Sequence, residues 1–238
     1  MNKNSFIEEL TKINIELTEE QLDKIDEYKE LLKEYNQKFN LTSIIEDEAI
    51  YLKHFYDCLY LLTIDKIKEA KSIVDIGTGA GFPGLVLAIA LINCSITLVE
   101  SNEKKCLFLK EVSNRLNLNN VEVINERAET YAKTVRERYD VATARAVSDL
   151  RVLLELEIPL IKENGYFIPL KSHIDEEINH SKDLINELNI TIEDKIAYKL
   201  PYENSDRTIL VIKKNKKTNT KYPREYNQII KDLKKRQN

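Results

Sequence analysis

The run SIVDI at residues 72–76 passes directly into DIGTGAGFPG at 75–84, and an apolar stretch, LVLAIALI, follows at once. Gly77, Gly79, Gly81 and Gly84 are four of only five glycines in a chain of 238 residues. Alternate glycines let a backbone turn sharply and approach a ligand where side chains would collide. A strand that ends in such a loop and reopens as a helix is the start of a βαβ unit. The whole downstream chain must then supply a parallel sheet for that unit to join.

The downstream pattern meets that demand. Strand-like runs read SITLVE (95–100), VEVI (121–124), YDVATA (139–144) and GYFIPL (165–170), with helix-like segments near 84–92, 103–116 and 149–161. A further helix near 174–188 and strands near 192–199 and 207–213 would complete the sheet, the last one antiparallel. Upstream, Ser5 with Glu8 and Thr18 with Gln21 have capping-box spacing. In the second helix Leu22, Ile25, Leu32, Tyr35 and Phe39 make one apolar stripe, and a third helical stretch runs from about Asp47 to Leu62. The expected division is a helical lobe over 1–70, an α/β domain over 71–214 and a basic tail over 215–238.

Composition limits the class of protein. At 42% hydrophobic and 32% charged residues the chain can bury a core. Cys58, Cys94 and Cys106 have neither metal-type spacing nor the even count of a disulfide framework, so no metal is expected and a reducing cytoplasm fits. Glu8 and Glu9 fall where a signal peptide needs apolar residues, and Leu85 to Ile92 is too short to span a bilayer, so no membrane association is expected. Net charge is only −4, but the charge is unevenly placed. Residues 207–238 carry eleven basic and two acidic side chains, against ten and sixteen over 1–72 and fifteen and twenty-two over 73–206. A basic block is an interaction surface for a polyanion or a solvated tail.

The loop narrows the ligand. The dinucleotide fingerprint G-x-G-x-x-G requires glycine at position 82, which is Phe82, and the Gly-Lys-Ser/Thr ending of a P-loop is missing. The chain reads Asp75-x-Gly77-x-Gly79-x-Gly81, which resembles motif I of the class I S-adenosylmethionine (SAM)-dependent methyltransferases. Their fold is Rossmann-like α/β, with a mostly parallel seven-stranded sheet, here preceded by a helical extension. Glu100 ends the second strand, where a carboxylate can accept ribose hydroxyls in methyltransferases and dinucleotide-binding proteins alike.

Seven blocks in order make the resemblance specific: KFNLTSI (38–44), HFYDCL (54–59), DIGTGAGFPGLVLAI (75–89), LVESNEKKCLFLKEV (98–112), ERAE (126–129), ATARAV (142–147) and KYPR (221–224). Together they resemble the RsmG family, also called GidB, over about residues 20–224. That family methylates N7 of a guanine, numbered 527, in 16S ribosomal RNA. The resemblance implies SAM as cofactor, with contacts from Gly77, Phe82, the pair Ala128 and Glu129, and Arg145, and 16S ribosomal RNA or the small subunit as partner. Arg145 follows the fourth strand, where an arginine can meet the cofactor carboxylate or the RNA. His54 and Asp57 share one helix face, and packing is the default role of the histidine. Two departures stand out. Cys58 replaces a serine common in the family, and after KYPR the chain reads EYNQIIKDLKKRQN instead of a glycine- and proline-containing basic segment.

Guanine N7 offers a free lone pair in its neutral form, so no proton must leave before attack and no catalytic base is expected. No catalytic residue is therefore assigned. The target base must be unstacked or looped out. Arg127, Arg151, Lys213, Lys214, Lys216, Lys217, Lys221 and Arg224 are the candidates for phosphate contacts. The protein is expected to act as a cytoplasmic monomer. A nicotinamide-dependent oxidoreductase and a non-catalytic SAM- or RNA-binding module remain as alternatives.

Overall fold

The computed structural model describes residues 1–145, 148–172 and 174–236, with Arg236 described by its backbone only. Ala146 and Val147 of the block ATARAV, and Gln237 and Asn238 of the tail, lie outside the described residues.

The chain opens with α1 (Lys3–Lys12) and α2 (Glu19–Phe39), followed by a continuous helical passage through α3 (Asp47–Ile50), a π-helical stretch (Tyr51–Tyr56), α4 (Asp57–Leu59) and a 3₁₀ turn (Tyr60–Thr63), and, after the extended Ile64, by α5 (Asp65–Lys68). The Thr18–Gln21 capping box forms with both reciprocal bonds. The Ser5–Glu8 pair does not cap α1. Asn2 does, accepting from the Ser5 amide at 2.9 Å, because the helix starts one turn earlier than the Ser-x-x-Glu spacing suggests.

The sheet contains β1 (Ser72–Ile76), β2 (Ser95–Glu100), β3 (Val121–Asn125), β4 (Tyr139–Thr143), β5 (Ile161–Phe167), β6 (Leu170–Lys171), β7 (Ile190–Lys199) and β8 (Asp206–Lys214). Helices α6 (Gly84–Ala90), α7 (Glu103–Arg115), α8 (Ala128–Thr134), α9 (Leu150–Glu157) and α10 (Asp175–Glu187) lie between strands, and α11 (Tyr226–Arg236) follows the last one. Strand order is β3-β2-β1-β4-β5-β8, with β6 and β7 also paired to β8. The first five strands are parallel, and β8 is antiparallel to β5, β6 and β7. The expected seven strands are eight because Pro169, which has no N–H to donate, separates β5 from β6 while both pair with β8.

Both faces of the sheet are covered, as a parallel sheet requires. Alternate residues of β1 and β2 divide between two cores: Ile73, Ile96 and Leu98 join Phe6, Tyr28 and Phe108, whereas Val74, Ile76 and Val99 join Tyr139, Leu153 and Phe167. The helical lobe therefore shares one core with the sheet. Gln21 strengthens the join by donating to the carbonyls of Ile89 and Ala90 at 3.0 and 3.1 Å, at the open end of α6.

The basic C-terminal segment is folded over much of its length. Ile229 and Leu233 of α11 pack on Val152 and Leu156 of α9, and Arg136 donates to the carbonyls of Thr218, Asn219 and Tyr222. Strand order reverses at β1, with β2 on one side and β4 on the other. Open α/β sheets bind ligands at the carboxyl ends of the strands flanking such a reversal.

Candidate functional site

At the carboxyl end of β1 the Gly77 amide still reaches the Val99 carbonyl at 2.8 Å, and the chain then turns. Asp75 holds the turn from inside. Its Oδ2 accepts from the Thr78 hydroxyl at 2.6 Å and the Gly84 amide at 2.8 Å, while its Oδ1 is buried without a partner. Burial pushes the Asp75 carboxyl up to about 7. Asp75 thus builds the loop and does not line the cleft.

The glycines divide by role. A Cβ on Gly81 would lie 2.4 Å from Leu85 Cδ1 and 2.6 Å from the Tyr28 hydroxyl, and one on Gly84 would lie 2.2 Å from Leu98 Cδ2. These two glycines make room for the protein's own packing. Gly79, at φ +62°, would place a Cβ in open space, with only the Gly77 carbonyl within 4 Å. Its backbone borders the cleft, leaving a cradle that a side chain would fill and a cofactor can occupy. The Gly79 amide donates to Glu100 Oε2 at 3.1 Å and the Asn102 amide to Oε1 at 2.8 Å, so the carboxylate is oriented and keeps lone pairs for ribose hydroxyls.

The cleft is about 710 Å³ and is bordered by Gly77, Gly79, Phe82 and Arg145 on the sheet side, and by Thr42, Lys53 and His54 of the helical lobe opposite. Phe82 stacks on His54 at 4.2 Å between ring centroids and on Tyr28 at 5.4 Å, and the Arg145 guanidinium lies 4.9 Å from its centre. Tyr28 also donates to the Ala80 carbonyl, fixing the loop against the lobe. Arg145 donates to the Lys53 carbonyl at 2.7 Å and to His54 Nδ1 at 3.0 Å, and it lies 3.6 Å from Asp57. Asp57, only 3% exposed, also accepts from the Tyr198 hydroxyl at 2.6 Å and pairs with Arg207 at 3.4 Å. Burial and the adjacent Arg145 push the His54 imidazole down to about 3, so it is neutral.

Of the residues expected to hold the cofactor, Gly77, Gly79, Phe82 and Arg145 meet in this cleft. Glu100 lies beneath Gly79, and the Glu126 amide bonded to the Glu100 carbonyl brings the start of α8 alongside. Ala128 and Glu129 form that start, and Glu129 is paired with Arg127 at 3.2 Å. They follow β3 and lie outside the lining of the cleft.

The basic candidates scatter. Because β8 is antiparallel, its first residues reach the cleft, where Arg207 lies, and its last ones, Lys213 and Lys214, are carried to the opposite edge. Lys214 is not a phosphate contact. Its Nζ is fully buried, donating to Glu137 at 2.8 Å and to the carbonyls of Ile158 and Ile161 at the amino end of β5. Arg151 is likewise spent inside the fold, pairing with Asp183 at 2.7 Å and Asp232 at 3.0 Å with only 4% of its side chain exposed. Arg224 chelates the fully buried Glu155, with one bond of 2.9 Å, and reaches Asp232 at 3.2 Å, which pins α11 to α9. Arg127, Lys216, Lys217 and Lys221 are exposed, Arg127 over the Tyr226 ring and Lys221 paired with Glu187. Lys213 is half-buried, 3.8 Å from Glu193.

Sequence reasoning passed over Thr42, Lys53, Lys171 and Arg207, all at the cleft. Thr42 lay inside the block KFNLTSI, so its position in the chain was marked while its role was not, and His54 in HFYDCL was read as a packing residue by default.

The strand order, the antiparallel last strand and the glycine loop opening into this cleft define a SAM-dependent methyltransferase of class I. A solved SAM-dependent methyltransferase from Aquifex aeolicus shares this fold, at TM-score 0.52 and 17% identity over 71% of this chain and 94% of that one. The family model for rRNA small subunit methyltransferase G matches residues 21–201, and the chain belongs to that family. Its relatives include ribosomal RNA small subunit methyltransferase G of Fusobacterium nucleatum, 48% identical over 94% of this chain and 96% of the relative. The Bacillus subtilis protein of the same name is 43% identical over 94% and 95%.

Proposed function

We propose that the protein transfers a methyl group from SAM to N7 of a guanine in the RNA of the small ribosomal subunit, in the bacterial cytoplasm. Family membership over most of the chain supports the reaction and the RNA class. The observation that supports the choice of N7 is that the imidazole and the carboxylates described at the cleft are engaged within the protein. His54 has both ring nitrogens engaged and stays neutral, Asp57 is committed to Arg145, Arg207 and Tyr198, Glu177 to Lys171 and the Leu150 amide, and Asp149 accepts from the Arg151 amide at the start of α9. An acceptor nitrogen with a free lone pair needs no group to take a proton.

Gly77 and Gly79 would cradle the cofactor, Glu100 would take its ribose hydroxyls, and Ala128 and Glu129 would flank the adenine. When bound, SAM supplies an electrophilic methyl group on a sulfonium. The protein's contribution is placement: Phe82, His54 and Arg145 form a fixed wall between the loop and the helical lobe, and alignment of the acceptor against the methyl carbon supplies much of the acceleration. Arg207 at the cleft, with Arg127, Lys216, Lys217 and Lys221 farther out, would meet phosphates.

Calorimetry separates this reading from a nicotinamide enzyme, since SAM should bind and NAD should not. Incubation with labelled SAM and either naked RNA or small subunits should label the RNA; labelled subunits would also exclude a non-catalytic module, and no label with either substrate would overturn the proposal.

A further inference from the structure

Arg145, His54 and Thr42 form a hydrogen-bond chain whose polarity is fixed from one end, with Asp57 as an ion-pair partner of Arg145. Arg145 is held by the Lys53 carbonyl at 2.7 Å and by Asp57 at 3.6 Å, and a guanidinium can only donate. His54 Nδ1, 3.0 Å from Arg145, must therefore accept, which puts the single proton of the neutral ring on Nε2. That proton points to Thr42 Oγ1 at 3.1 Å. The Ile44 amide donates to the same oxygen at 3.1 Å. A hydroxyl has two acceptor lone pairs and one hydrogen, and both lone pairs are now used. The Thr42 hydroxyl is left as an obligate donor, on a residue that borders the cleft facing Gly77 and Gly79.

We propose that the Thr42 hydroxyl donates to O6 of the target purine and so selects guanine over adenine. The inference rests on the N7-methylation reading above. Guanine presents N7 and O6 as adjacent acceptors on one edge, whereas adenine presents N7 beside an amino donor. With N7 directed at the methyl group, the neighbouring O6 meets a donor that cannot reverse. An adenine amino group there would face a second donor, leaving both unpaired in a confined site. Arg145, His54 and Asp57 act as positioning residues that hold this polarity. The π-helical turn of Tyr51–Tyr56 presents His54 from the lobe, consistent with such turns recurring at functional sites.

The test uses the full-length protein and small subunits reconstituted with RNA carrying guanine, or 2-aminopurine, at the target position. 2-Aminopurine keeps N7 and lacks O6. On guanine RNA, Thr42→Val should lower kcat/KM about tenfold and Thr42→Ser should retain the wild-type value. With the wild-type protein, 2-aminopurine should cost a similar factor, and Thr42→Val should add no further loss on that RNA. Affinity for SAM should be unchanged in both variants. Wild-type activity of Thr42→Val on guanine RNA, or an equal loss on both RNAs, overturns the proposal. A SAM affinity weakened by the same factor as the rate assigns the donor to the cofactor and also overturns it. If Thr42→Val does not fold, equal wild-type rates on guanine and 2-aminopurine RNA are sufficient to reject it. Absence of N7-methylguanosine with the wild-type protein on guanine RNA would instead bring down the underlying reading, and the inference with it.

Discussion

Gly79→Ala and Gly84→Ala disturb the same loop by different routes, and comparing them tests whether the loop is shaped for a ligand. An alanine at 84 would drive its methyl to 2.2 Å from Leu98 Cδ2 and 2.8 Å from Asp75 Oδ2, both buried. Such overpacking costs about 1–3 kcal/mol. At about 2–4 °C per kcal/mol for a chain of this size, Tm should fall by roughly 2–12 °C. An alanine at 79 meets no protein atom closer than 3.9 Å but must hold φ +62°, at a cost of about 1–2 kcal/mol, or roughly 2–8 °C. Stability alone thus barely separates the two variants. Binding should separate them, because the Gly79 methyl points into the cradle and the Gly84 methyl into the core. By calorimetry at a temperature where both are folded, Gly79→Ala should weaken SAM binding at least tenfold, about 1.4 kcal/mol, and Gly84→Ala by less than threefold. Wild-type affinity in Gly79→Ala, or an equal loss in both, would refute the division of roles.

Three further outcomes follow from where the titratable side chains lie. Arg224→Ala strands the fully buried Glu155 and should cost about 3 kcal/mol, the low end for a broken buried pair because Arg224 is 30% exposed; calorimetric unfolding should show Tm lower by roughly 6–12 °C. Replacing Lys216 and Lys217 by alanine should leave Tm unchanged and flatten the dependence of log affinity for RNA on log salt by about 1.4–1.8, whereas Lys214→Ala should lower Tm and leave that slope alone. His54 and Asp75 give opposite pH signatures. The depressed His54 contributes stability that is complete above its ordinary value of 6.5 and lost as pH falls toward 3, by up to about 1.4 kcal/mol per pH unit. The raised Asp75 contributes fully below its ordinary 3.8 and loses that contribution as pH rises through about 7. Between pH 4 and 6.5, denaturant unfolding should therefore show the wild-type advantage over His54→Gln shrinking with acidification and that over Asp75→Asn growing.

The alternation of strands and helices after Ser72 was legible because period-two and period-3.6 apolar patterns survive without tertiary information. The glycine loop was legible because glycine is so scarce elsewhere in this chain. The helix in the C-terminal segment was not read because the segment's charge hid its period: Tyr226, Ile229, Ile230 and Leu233 recur at helical spacing, and that stripe covers α9. Lys214 was similarly visible in principle. It follows Leu210 and Ile212 on the inward face of β8, and a period-two reading places it inside. The Asp57–Arg145–His54–Thr42 chain could not be read, since it joins residues 103 positions apart in sequence at their extremes through tertiary contact alone.

The identity of the modified nucleoside tests the central claim most directly. Small subunits lacking the modification should be incubated with the purified protein and SAM, and their RNA digested to nucleosides and resolved by mass spectrometry against methylguanosine standards. The account predicts one new N7-methylguanosine per subunit and no methyl group on any other base. A methyl group on an exocyclic nitrogen of guanine or adenine or on a ribose hydroxyl would contradict it, because each of those acceptors must release a proton, whereas the imidazole and carboxylates described at this cleft are engaged within the protein.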